Sequence, residues 1–88
     1  MKLLEEAFVV YPIPCKDELT LSVNAKIRES VTIELYGASG SKLVTLFDGL
    51  VDSALSEFNF SLKKFPPGVY YLNCISKRGV VVKWIVKV

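Results

Sequence analysis

The chain has 88 residues, 51% of them hydrophobic, which favours one folded domain over residues 1–88 and argues against disorder. Its apolar residues come in short runs, far from the roughly 20 in succession that a membrane-spanning helix needs, so no membrane insertion is expected. The net charge of +2 is unevenly spread. Residues 1–57 carry five Lys/Arg and nine Asp/Glu, whereas 58–88 carry Lys63, Lys64, Lys77, Arg78, Lys83 and Lys87 and no acid. That final third offers either a positive surface to a partner or a set of lysines that blunt exposed strand edges.

The start of the chain does not read as a secretory leader, because Glu5 and Glu6 stand where an apolar stretch belongs. Any leader has then been removed or opens a longer precursor. The first predicted strand, Phe8–Tyr11, is short and meets Pro12, which suits an edge. Glu18–Asn24 alternates strictly, with Leu19, Leu21 and Val23 on one face. Residues 31–36 repeat the pattern with Val31, Ile33 and Leu35, and 57–62 with Phe58, Phe60 and Leu62. These nine side chains are expected to share one core between two sheets.

The other strands alternate less cleanly. Residues 42–47 mix Leu43, Val44, Leu46 and Phe47, so both faces are expected to be partly covered. Residues 69–75 are apolar on both sides, as in a central strand, and 80–88 form the last strand. Gly37-Ala38-Ser39-Gly40 predicts a hairpin with Gly40 at positive φ. Pro66-Pro67-Gly68 breaks the chain before a strand, and Lys77-Arg78-Gly79 predicts a three-residue hairpin loop. At least two of Gly40, Gly68 and Gly79 are expected at positive φ. Asp48-Gly49 reads as a turn or bulge, and 49–56 as a loop or short helical turn. About seven short strands, with turn signals every 8–12 residues, indicate an all-β, immunoglobulin-like antiparallel sandwich.

Chemistry is sparse. There is no His, no Gly-x-Ser-x-Gly elbow, no phosphate-binding loop and no dinucleotide fingerprint, so no enzyme, cofactor or metal site is expected. Asp17 and Glu18 are an acidic pair at a loop–strand junction, where adjacent residues face opposite ways, which suits solubility rather than acid–base work. Cys15 lacks a His partner for nucleophilic chemistry. Cys15 and Cys74 read as two free thiols in preference to a disulfide, Cys74 as a small core residue. Nucleic-acid binding is not expected, since the basic residues are not interleaved with aromatics on one strand face. One of Tyr70 and Tyr71 packs inside, and Trp84 is read as core in preference to an exposed anchor. Lys83 and Lys87 are four apart and fall on one side of the last strand, predicting an exposed positive stripe with Val81 and Ile85 beside it.

Several blocks together resemble the C-terminal sorting domain of proteins exported by the type IX secretion system of Gram-negative bacteria. They are Val10-Tyr11-Pro12-Ile13-Pro14 with 16–21, Ile33-Glu34-Leu35-Tyr36 with 40–44, Pro67-Gly68-Val69-Tyr70-Tyr71-Leu72, and Gly79 with Lys83 to Val88. The resemblance spans nearly the whole chain; Ile13 stands where that family has Asn. It implies a non-catalytic address, with Pro12, Pro14, Gly40, Gly68, Tyr70 and Gly79 as motif and turn residues. It further implies that Lys83, Lys87 and Val88 are read by the export machinery, that a covalently attached cargo lies outside this chain, and that a surface sortase removes the domain. The route implied is transit through the periplasm to the cell surface or medium. The second reading is a stand-alone immunoglobulin-like structural or adhesive module binding a protein or glycan.

Overall fold

The computed structural model describes residues 7–24, 28–51 and 55–88. Residues 1–6, which include Glu5 and Glu6, lie outside that set, as do 25–27 and 52–54, the latter part of the segment read as a loop or short helical turn. Seven strands follow in order: β1 Phe8–Tyr11, β2 Glu18–Asn24, β3 Glu29–Gly37, β4 Lys42–Val51, β5 Leu55–Ser61, β6 Gly68–Ser76 and β7 Gly79–Lys87. They form a three-stranded sheet, β1-β2-β5, and a four-stranded sheet, β4-β3-β6-β7, with every strand pair antiparallel. In immunoglobulin lettering these are A-B-E and C′-C-F-G, the arrangement of an immunoglobulin-like sandwich.

The alternating segments build the core as their period requires. Leu19, Leu21, Val23, Val31, Ile33, Leu35 and Leu62 are fully buried, each such side chain contributing about 1.5–3 kcal/mol. Phe58 and Phe60 face the same core but are only partly buried, because β5 is an edge strand. Phe47 of β4 meets Phe58 at 4.5 Å between ring centroids, and Phe58 stacks on Phe60 at 6.3 Å. These rings cover the side of the sandwich where β4 and β5 are both edges.

Strand β1 is an edge and β6 is central, as the sequence indicates. The mixed pattern of 42–47 has a cause: two register shifts against β3 leave Leu46 and Leu43 without cross-strand partners and break the alternation. The readings of 48–56 need correction. Asp48 and Gly49 lie inside β4, paired with Thr32 and Val31, and 49–51 and 55–56 are strand. The Asp48 side chain has a strand role there, accepting a hydrogen bond from Thr32 at 3.1 Å.

The turns follow their glycines. Gly40 donates to the Gly37 carbonyl at 3.0 Å and has φ 91°, a conformation in which a Cβ is strained. Gly68 and Gly79 also have positive φ, 157° and 138°. The β6–β7 connection is shorter than expected: Lys77 and Arg78 alone form the turn, and Gly79 already pairs with Ser76.

Candidate recognition strand

Three of the sequence blocks meet at one end of the sandwich. The Pro12–Pro14 segment leads to Cys15, which forms a parallel bridge with Lys87. The Cys15 amide donates to the Val86 carbonyl at 2.8 Å, and the Val88 amide donates to the Cys15 carbonyl at 2.9 Å. On its other side the same stretch of β7 pairs with the start of β6, Lys87 opposite Gly68 and Val86 opposite Val69. The end of the last strand is therefore held from both flanks. Tyr11, which opens the first block, donates its hydroxyl to Glu57 Oε2 at 2.7 Å and so ties β1 to β5 across β2.

The connection from β5 to β6 closes this end. The Tyr70 hydroxyl donates to the Pro66 carbonyl, and its buried ring meets Phe65 edge-on at 6.0 Å. A tyrosine at the start of strand F, bonded back to the preceding corner, is the tyrosine corner of immunoglobulin-like folds. This gives a physical reason for the Pro67-Gly68-Val69-Tyr70 block. The neighbouring carbonyl, that of Phe65, accepts from Lys87 Nζ at 2.5 Å. Two adjacent corner carbonyls are thus satisfied by side chains, one from β6 and one from β7.

The positive stripe expected on β7 is not there. Lys87 is 8% exposed, and Lys83 is half-buried on the same inner face as Val81 and Ile85. Spacing correctly places the lysines with Val81 and Ile85, but that face is the core face. The cause is the turn: with only Lys77 and Arg78 between the strands, Cys74, Leu72 and Tyr70 of β6 oppose Val81, Lys83 and Ile85. Because the β6 residues point inward, so must their partners, since register sets the face for a whole strand. Long lysine side chains can accommodate this by packing their methylenes, and the Lys87 ammonium bonds the Phe65 carbonyl.

The outer face of β7 consequently consists of Val80, Val82, Trp84 and Val86, all exposed. Trp84 is 57% exposed, which corrects the reading of it as core. Its ring lies 4.0 Å from that of Tyr71, its cross-strand partner. Tyr70 is the member of the tyrosine pair that packs inside. Val88 follows the stripe and is also exposed. The stripe is not evident in the sequence because apolar residues occupy both sides of β7, Val81 and Ile85 on one and Val80, Val82, Trp84 and Val86 on the other. Turn length, counted back to the inward residues of β6, is the signal that separates them.

Both cysteines are buried free thiols. Cys15 sits beside Lys87 and Cys74 opposite Val81, six residues apart along β7, or roughly 20 Å at strand spacing. A disulfide needs Cα atoms within about 7 Å. Burial pushes the Cys74 thiol up to about 12, against the opposing pull of the Lys83 charge. Burial also raises Cys15, with its own backbone amide and Lys87 acting the other way. Both shifts favour the protonated thiol over the nucleophilic thiolate. Among the described residues, no group of three or more His, Cys, Asp or Glu side chains is placed to hold a metal ion.

No curated protein matches the sequence. The family model for the secretion system C-terminal sorting domain matches residues 9–87, covering the four blocks except for the final Val88. The chain belongs to the C-terminal sorting domains of type IX secretion, a non-catalytic family whose members engage the secretion machinery and direct export to the cell surface or the medium.

Proposed function

We propose that the secretion machinery reads β7 through its outer stripe, Val80, Val82, Trp84 and Val86, continued by Val88. The observation that carries this is the pairing of a firmly held strand end with an exposed apolar face on the same strand. Exposed aromatic and aliphatic anchors on a rigid element supply most of the energy in protein recognition. Lys87 serves this surface from beneath, holding the Phe65 corner and thereby the position of Val86 and Val88. Lys83 also lies on the inner face, so neither lysine contributes its ammonium to the stripe.

On this reading the domain folds in the periplasm, still joined to its cargo, and presents β7 to the outer-membrane machinery. A surface sortase then removes it. The conformation of β7 depends on contacts made by Cys15, Phe65 and Tyr70, so the signal is a folded surface rather than a linear peptide. The test is a reporter fused ahead of residues 1–88 in a bacterium with this secretion system. Val82→Lys and Trp84→Lys leave the fold intact and retain the reporter in the periplasm, while Lys77→Glu, outside the stripe, is exported normally. Surface delivery of the Trp84→Lys and Val82→Lys fusions at the unmodified level would overturn the reading.

A further inference from the structure

Each edge of the sandwich carries a feature that opposes pairing with another strand, and β7 shows which feature protects it. Strand β1 has four residues and runs into Pro12. Strand β4 is broken by two register shifts. Strand β5 places Ser56, Glu57, Asn59 and Ser61 along its length. Short length, proline, irregularity and charge are the ordinary ways in which an edge is blunted.

Strand β7 lacks the first three. It has nine residues, pairs with β6 without a register shift and contains no proline. Cys15 covers only its last residues. Among the described residues, no strand pairs with the free edge of Gly79–Ile85. That stretch, Gly-Val-Val-Val-Lys-Trp-Ile, is uncharged except at Lys83.

The stretch is also nearly self-complementary. In an antiparallel pair of two copies centred on Val82, Gly79 meets Ile85, Val80 meets Trp84 and Val81 meets Lys83. All seven residues of the free edge pair in this register. On the outer face it aligns Val80 with Trp84 twice, around a Val82 pair, and such aliphatic–aromatic pairs favour association. On the inner face it sets the Lys83 side chain of each copy against an apolar valine, which offers an ammonium group no acceptor. The register centred on Lys83 sets two ammonium groups directly opposite, which is also unfavourable.

We infer that Lys83, an inward-pointing charge in the middle of an otherwise apolar edge, prevents β7 from pairing with β7 of a second copy. This rests on the reading that β7 is the recognition strand only for its purpose, which is to keep that strand available. The physical effect is independent of the secretion system and is measured without it.

The experiment compares the unmodified 88-residue chain with Lys83→Val, Lys83→Thr and Lys83→Arg by sedimentation over a range of protein concentrations. Circular dichroism and thermal melting establish folding for each. The unmodified chain and Lys83→Arg remain monomeric. Lys83→Val dimerises at least about tenfold more tightly than Lys83→Arg, which keeps the charge. Lys83→Thr follows Lys83→Val and replaces it if the valine variant does not melt cooperatively. Amide exchange slows on the free edge of 79–85 in the dimer. Adding Trp84→Ser to Lys83→Val weakens the dimer without abolishing it, since the backbone pairing remains. A folded Lys83→Val and Lys83→Thr that both stay monomeric overturn the inference. So does an unmodified chain that dimerises as tightly as Lys83→Val, or a Lys83→Val dimer that vanishes with Trp84→Ser.

Discussion

The two ends of β7 are held differently. At its carboxyl end Val86 and Lys87 are flanked by β6 on one side and Cys15 on the other, and Lys87 is bonded to the Phe65 corner. Along Gly79–Ile85, β7 has β6 on one side and no strand partner on the other among the described residues. Both stretches have the same alternation and the same apolar outer face. What separates them is the backbone partner supplied from the distant start of the chain. A recognition strand benefits from both conditions: the fastened end fixes where the strand lies, and the open stretch leaves its surface available.

The largest way to break this difference is at the corner. Tyr70 is buried, and its hydroxyl and ring both serve the fastened end. Tyr70→Ala is expected to lower stability by about 3–5 kcal/mol, as for other large aromatic truncations. Tyr70→Phe keeps the ring, leaves the Pro66 carbonyl without its donor and costs about 1–3 kcal/mol. Urea unfolding of the two variants separates ring from hydroxyl.

Alkaline pH acts on the core rather than the fastened end. The Cys74 thiol is pushed up to about 12 by burial, well above its ordinary value near 9. A raised acid binds its proton more tightly in the folded state. Its contribution is therefore complete below about pH 9 and is lost as pH rises toward about 12. Between those limits stability falls by as much as about 1.4 kcal/mol per pH unit for this one proton. Urea midpoints from pH 8 to 11 measure it, and Cys74→Val flattens the decline.

Lys87→Met tests the fastened end alone. The methionine fills much of the lysine's volume, but the Phe65 carbonyl loses its charged donor. The expected cost is about 1.5–3 kcal/mol, the range for bonds to charged groups. Amide exchange is expected to speed up at Cys15 and Val88, whose bonds lie beside this contact, and to stay unchanged at Val81 and Cys74. Uniform acceleration across β7 would remove the distinction between its two ends.

Much of this architecture could be read from period-two patterns, and the failures are instructive. Leu19 to Val23 and Val31 to Leu35 alternate without ambiguity and lie on the predicted face. Gly40 and Gly79 marked their turns because φ of 91° and 138° favours glycine. Trp84, Lys83 and Lys87 misled because β7 is apolar on both sides, so composition favoured a charged outer face and an aromatic inner one. The register with β6 decided the opposite. The roles of Phe65 and Pro66 were invisible because carbonyls carry no sequence signature. The hairpin at Gly40 offers a further check: Gly40→Val forces a branched residue to positive φ and is expected to cost about 1–2 kcal/mol, read by thermal melting. There is open space where its Cβ would sit, so the backbone alone sets that cost.

The smallest expected effect on stability lies on the open stretch and sharpens the comparison most. Val80 is 59% exposed near the start of β7 and faces away from the core, opposite Ile75. Val80→Lys is therefore expected to change stability by no more than about 0.5 kcal/mol, as for most surface substitutions. Val81, its neighbour, is buried, and the same change there places a charge in the core and is expected to prevent stable folding. The adjacent pair thus separates the two faces of β7 by stability alone. Export then ranks positions within the outer face. Trp84 presents the largest ring at the middle of the stripe, Val82 lies next to it, and Val80 is at its edge. A reporter fusion should lose most surface delivery with Trp84→Lys, less with Val82→Lys and least with Val80→Lys, although all three remain folded. Equal loss at all three positions would mean that added charge near β7, rather than contact with its outer stripe, is what blocks export.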